Sequence, residues 1–94
     1  MAGLKIDVGP VGEQLAKNIQ TIQGAKRLQY KELSEMAAAE GRHIPPLAFR
    51  RIVGLERRVD AQDLAVIAKI LGFSVEHLLF HDIQLKAECR VVGA

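Results

Sequence analysis

Two consecutive prolines, Pro45 and Pro46, limit the fold of this chain more than any other feature of its sequence. Proline disfavours helical geometry in the residue before it, yet its fixed φ suits the first turn of a helix. The pair therefore predicts an extended segment that ends at a new helix start near Pro46. The helix that follows, "PLAFRRIV", carries two arginines.

Apolar residues recur at helical spacing on both sides of the two prolines, and residues typical of helix ends separate the runs. Gly24 lies near the end of the first pattern and Gly41 ends the second, and glycine commonly stops or frays a helix. Asp60 and Ser74 resemble N-caps, and Asp63, three residues after Asp60, stands in place of the usual glutamate of a capping box. The sequence therefore predicts five helices, which cover residues 11–26, 30–40 and 46–55, the run from Asp60 to Gly72 and a short segment after Ser74.

The composition suits one small helical domain. The chain has 94 residues, of which 49% are apolar but only 4% aromatic, so leucine, isoleucine, valine and alanine must form most of the core. Five short helices with brief connections then favour an all-α orthogonal bundle.

Positive charge is concentrated around the third predicted helix. Residues 42–58 contain five arginines against one acid, Glu56, a balance of +4; the whole chain carries +2, so the remainder carries −2. This local excess of positive charge indicates that one face of the protein binds a polyanion. We expect Leu47, Phe49, Ile52 and Val53 on the inward side of this helix, and Ala48, Arg50 and Arg51 on outward or flanking sides.

Other function classes are disfavoured. Cys89 is the only cysteine, which excludes an internal disulfide framework and favours a reducing compartment. With no signal peptide and no membrane span in the sequence, we expect a cytoplasmic protein without a membrane partner. His77 and His81 have the spacing of a metal pair, but packing is their commoner role and we expect no metal. No nucleophile has a neighbouring base and no glycine-rich phosphate loop is present, so we expect no enzyme, cofactor or small-molecule substrate.

Both ends of the chain alternate between apolar and polar residues, which is typical of strands. This pattern divides the chain into an N-terminal arm or strand (residues 1–10), a helical domain (11–80) and a C-terminal strand (81–94). Short β-strands at both termini are therefore part of the predicted fold, and a partly ordered tail is the alternative at the C-terminus.

Two short helices joined by a turn, the second of them basic, form the helix-turn-helix arrangement of many DNA-binding proteins. The run from Leu15 to Leu79, with "LAKNIQTIQGAKRLQYKELSEM" and "DAQDLAVIAKILGFSVEHLL", resembles the phage repressor and Cro (XRE-type) family. The stretch "AEGRHIPPLAFRRI … ERRVD" is similar to a subgroup of actinobacterial and actinophage regulators. The resemblance implies that residues 30–40 are the first helix of the motif and residues 46–55 its recognition helix.

By this resemblance, the recognition helix approaches base edges and flanking residues contact phosphates. Arginine can pair with guanine, and a leucine or alanine can pack on a thymine methyl. The turn "AAAEGRHIPP" is longer than usual in the family, Val53 stands where many members carry glutamate, and Gly54 comes one place early. The implied base contacts are Pro46, Leu47, Ala48, Arg50 and Arg51, and the phosphate contacts are Tyr30, Arg42, His43, Arg57 and Arg58.

The sequence as a whole predicts a DNA-binding transcriptional regulator of Cro or repressor type that occupies a two-fold symmetric operator. Dimerisation doubles the phosphate contacts of a small domain, and Cro-type members dimerise through a C-terminal strand. We therefore expect a homodimer whose terminal strands form a small sheet. The dimerisation residues would be Ile83, Leu85, Cys89 and Val91, with their apolar side packed onto the helices. A protein-interaction module such as an antitoxin or anti-repressor, and a non-specific architectural DNA binder, are the competing interpretations.

Overall fold

The structure, a computed structural model, describes residues 7–85 of the chain. This part consists of α1 (Gly9–Lys26), α2 (Tyr30–Ala39), α3 (Pro46–Val53), α4 (Ala61–Leu71) and α5 (Val75–Phe80). It contains no strand, and the predicted all-α fold of five helices is confirmed for these residues. Within the same range, no helix is both long and apolar enough to cross a membrane.

The core lies between all five helices. α1 packs against α3 and α5, α2 packs against α3 and α4, and α4 closes the bundle on α5. Burial of the apolar side of each helix stabilises the fold by roughly 25 cal/mol for each Å² removed from water. The largest apolar side chains that are fully buried are Phe49, Ile19, Ile22, Leu33, Ile44, Ile67, Leu71 and Leu78.

Two helix starts agree with the sequence prediction. The side chain of Asp60 accepts a hydrogen bond from the backbone N–H of Asp63 at 2.7 Å, and Ser74 Oγ accepts one from the N–H of His77 at 3.0 Å. Each bond satisfies a backbone donor that the first turn of a helix leaves without a partner. The Asp63 carboxylate does not complete a capping box, because it binds two arginines instead.

The helix ends are only partly as predicted. Gly41 and Gly72 adopt the left-handed conformation that follows α2 and α4, with φ of +87° and +80°. After α1 and α3 the same conformation falls on Arg27 and Leu55, at φ of 56° and 62°. The predicted end of α1, at about Lys26, is confirmed, and Gly24 lies inside the helix because the apolar stripe continues past it to Ala25.

The N-terminal boundary also shifts. α1 begins at Gly9, with Pro10 in its first turn, so residues 9 and 10 belong to the helical domain rather than to an arm. The predicted strand of residues 81–94 is described only as far as Leu85, and residues 81–85 are not a strand. The remainder of that prediction, and residues 1–6 of the N-terminal arm or strand, lie outside the described residues.

Candidate nucleic-acid interface

α3 presents one side to the core and the other to solvent. Phe49 and Ile52 are buried, as predicted from the sequence. At about 100° per residue, Pro46, Leu47, Arg50 and Arg51 then fall on the opposite side, and all four are exposed. The inward direction predicted for Leu47 is wrong: the residue is 50% exposed, because its position on the helix lies on the side of Arg50 and Arg51.

Ala48 is the predicted base-contacting residue that the structure contradicts. It is only 4% exposed and belongs to the core cluster with Phe49 and Ile52. The outward direction expected for it is wrong, because residues 48, 49 and 52 fall on one side of a helix of this pitch. The solvent side of α3 is therefore defined by Pro46, Leu47, Arg50 and Arg51, hereafter the α3 face.

Arg50 and Arg51 have no ion-pair partner among residues 7–85. Glu32, one of the acids that could have neutralised them, is engaged elsewhere: its Oε1 accepts from the backbone N–H of Gln29 at 2.8 Å in the capping box of α2. Two guanidinium groups with about five donors each thus face solvent from the same helix.

The long turn between α2 and α3 is held by two of its own residues. Ile44 is 1% exposed and packs in the core. Arg42 donates through Nε to Asp63 Oδ1 at 2.7 Å, and through its terminal nitrogens to Gln62 at 2.8 Å and Asp60 at 3.5 Å. The hydrogen bond to Asp63 is the main reason that the pKa of Arg42 lies above its ordinary value. Arg42 is therefore tied to α4, rather than free for the phosphate expected from the sequence.

Asp63 also forms an ion pair with Arg57, which follows α3 in the chain. Arg57 lies 3.5 Å from Asp63 Oδ2, while the guanidinium remains partly exposed. The Asp63 side chain is only 5% exposed, so both of its oxygens are paired within the protein. Buried carboxylates require such pairing because desolvation of a lone charge is costly.

The remaining predicted phosphate contacts lie around this cluster. Arg58 is exposed and donates to the backbone oxygen of Asp7 at 2.7 Å, which ties the start of α1 to the loop after α3. Tyr30 is half-buried at the first position of α2, and His43 is exposed in the long turn.

The predicted dimerisation residues are placed differently from one another. Ile83 is buried within the protomer, and its backbone N–H donates to Asn18 Oδ1 at 3.0 Å. It therefore supports the core instead of offering a surface to a second copy. Leu85 is exposed, whereas Cys89 and Val91 lie outside the described residues.

No cluster of three or more histidine, cysteine or acidic side chains in the described part of the chain is placed to hold a metal ion. The imidazole rings of His77 and His81 lie 4.9 Å apart between centroids, and Phe73 lies 6.0 Å from His77. The rings of each pair are tilted, by 58° for Phe73 and His77 and by 44° for His77 and His81, as is common for aromatic contacts.

Comparisons of the chain with protein-family models, curated protein sequences and solved structures gave no match. The arrangement of the α3 face and of the arginines around Asp63 is therefore interpreted from its own geometry.

Sequence reasoning missed three residues that position this surface. Asp63 had been predicted only as part of a capping box and Ile44 only as part of an extended segment, and Asn18 had no predicted role. Only Asp63 carried a signal, since an acid five and six residues from two arginines is a common ion-pair partner. The partners of Ile44 and Asn18 are distant in sequence, and no local pattern reveals them.

Proposed function

We propose that this chain is a sequence-specific DNA-binding transcriptional regulator of helix-turn-helix type, with α2 and α3 as the motif and the α3 face directed into the major groove. One observation carries the proposal. Arg50 and Arg51 are exposed on α3 without an intramolecular partner in residues 7–85, and Leu47 lies exposed on the same side. This combination matches a groove that offers guanine acceptors and thymine methyl groups.

The charges near α3 supply the second part of the recognition. Arg57 and Arg58 are exposed in the loop that follows α3, where phosphates of a docked duplex would be within reach. Phosphate contacts fix the register of a protein on DNA and supply most of its non-specific affinity. His43 and Tyr30 complete the proposed phosphate set, and Arg42 is removed from it because Asp63 holds its guanidinium.

The proposal includes a homodimer bound to a two-fold symmetric operator. Two recognition helices that enter successive major grooves require half-sites about 34–36 Å apart. Leu85, exposed at the end of the described chain, supports a contact there. Ile83 does not, since the protomer itself buries it.

Selection from a pool of random duplexes tests the function directly. We expect an enriched, palindromic site, and a dissociation constant at least about 10³ lower for that site than for a scrambled duplex at the same salt concentration. Arg50→Ala should relax the preference at one base pair, and Arg58→Ala should weaken both duplexes alike.

The other outcomes identify other functions. Equal, salt-dependent affinity for all duplexes would indicate an architectural DNA binder. No binding to any duplex by a folded protein would overturn the proposal and favour an acidic protein as the partner of the same arginines.

A further inference from the structure

The two segments that flank α3 are both fastened to one carboxylate. Arg42 lies four residues before the first residue of α3, and Arg57 lies four residues after the last. Both guanidinium groups reach Asp63 near the N-terminus of α4, at 2.7 Å and 3.5 Å. The turn that leads into α3 and the loop that leads out of it are thus held to the same point of the bundle.

The two contacts differ in strength. Arg42 makes a short, charge-assisted hydrogen bond through Nε, and Gln62 holds its terminal nitrogen at 2.8 Å. Arg57 has one longer contact, and its side chain is 44% exposed. Arg42 is therefore the firmer of the two ties and Arg57 the weaker one.

We propose that Asp63 is a positioning residue for sequence recognition: through Arg42 and Arg57 it sets the angle at which the α3 face meets the bases. This inference rests on the proposed function. Asp63 is buried beneath the arginines, so its carboxylate is not accessible to a ligand on the surface. Its effect is therefore expected on the preference between sequences, and not on attraction to the phosphate backbone.

The reason is the difference in geometric tolerance between the two kinds of contact. A bidentate arginine–guanine pair requires both donors to meet O6 and N7 at once, so a small rotation of α3 breaks it. Attraction to phosphates depends on charge within about a Debye length and survives such a rotation. Freeing both flanks of α3 should thus weaken specific binding while non-specific binding persists.

Asp63→Asn tests this directly, because asparagine keeps the size of the side chain and removes its charge. We expect the ratio of specific to non-specific affinity to fall about tenfold, which corresponds to the loss of one good base contact. Affinity for a scrambled duplex should stay equal or rise, because one negative charge near the DNA is gone.

Asp60→Asn is the matched control. It removes the same charge one helical turn away, asparagine is as good an N-cap as aspartate, and Asp60 contacts Arg42 only at 3.5 Å. We expect this variant to raise affinity for both duplexes by the same factor and to leave the ratio unchanged. If Asp63→Asn also raised the affinity for both duplexes by one factor and left their ratio unchanged, Asp63 would act through its charge alone. That result would overturn the inference.

Arg42→Gln provides a second route if Asp63→Asn does not fold. We expect a lower specificity ratio with an unchanged slope of log affinity against log salt concentration. A phosphate-contacting arginine would instead reduce that slope by about 0.9. A reduced slope with an intact ratio would return Arg42 to the phosphate set and refute the positioning role. If the wild-type protein shows no sequence preference, the proposed function fails before either variant is compared.

Discussion

The side-chain nitrogen of Asn18, on α1, donates to the backbone oxygen of Leu78, on α5, at 2.8 Å, and neither residue is accessible to solvent. The same nitrogen donates to the oxygen of His81 at 2.8 Å, and the side-chain oxygen accepts from the N–H of Ile83 at 3.0 Å. One carboxamide therefore satisfies two carbonyl groups that the end of α5 leaves without helical partners, and fixes the segment that follows.

Replacement of Asn18 by alanine should destabilise the protein by about 2–4 kcal/mol, because several buried polar groups lose their partners at once. The measurement is the free energy of unfolding from a urea titration. Gln14→Ala is the comparison and should cost far less, since Gln14 is only partly buried and donates to Asn18 at 3.1 Å and, at the surface, to Asp82 at 3.4 Å. Equal losses in the two variants would contradict this account of Asn18.

Leu47 should recognise a thymine methyl group in the selected operator. We expect Leu47→Ala to weaken binding by about 1 kcal/mol, the value of one buried methyl group, and replacement of that thymine by deoxyuridine to have the same effect. The two changes should not add when combined, because each removes one side of the same contact. Additive losses at every thymine of the site would show that Leu47 reads none of them.

Gly24→Ala should stabilise the protein by about 0.5–1 kcal/mol. Gly24 lies inside α1, and an added Cβ would meet nothing within 4 Å, so alanine gains helix propensity without a clash. Gly72→Ala is the opposite case: its surroundings are equally open, but its φ of +80° strains any side chain and the variant should be less stable. Thermal unfolding of both variants tests the pair, and a destabilised Gly24→Ala would be evidence against the helical environment of residue 24.

Asp82 should make part of the stability dependent on acid pH. Hydrogen bonds from Gln84, Lys17 and Gln14 lower the pKa of this carboxyl below its ordinary value. A lowered folded-state pKa contributes stability that is present above the ordinary pKa of aspartate and is lost as the pH falls through the lowered one. Asp82→Asn should therefore be less stable than the wild-type protein at neutral pH, and the difference should disappear in strong acid.

Two measurements check the assignment. The pH dependence of the Asp82 side-chain carboxyl ¹³C shift gives its pKa, which Lys17→Gln should raise towards the ordinary value. Urea unfolding of the wild-type and Asp82→Asn proteins at neutral and acid pH gives the stability difference. If the stability difference between the two proteins stayed constant between neutral and acid pH, the charge of Asp82 would not contribute to stability.

Much of the fold followed from local patterns. Helix starts depend on neighbours within four residues, so they can be predicted from the sequence. Examples are the N-caps Asp60 and Ser74 and the first-turn proline Pro46. The left-handed residues Arg27 and Leu55 were not predicted, because the usual signal for that conformation is glycine. There, packing of the helices decides the backbone conformation against local preference.

In the candidate site, too, local features could be predicted from the sequence and long-range contacts could not. Exposure of Arg50 and Arg51 follows from helical periodicity once Phe49 and Ile52 are buried. The inward direction of Ala48 could not be predicted from periodicity, because a small side chain fits either side of a helix. The partners of Arg42 lie 18 to 21 residues away, and several acids were equally eligible before the fold brought Asp63 beneath it.

The burial of Ala48 bears on how the specificity of such a surface changes over evolutionary time. Its methyl group packs in the core, so a glycine there would let α3 settle deeper and a valine would lift it. Either change would shift Arg50 and Arg51 relative to the bundle without altering them. A lineage could thus acquire a new target sequence through a substitution that never contacts the target.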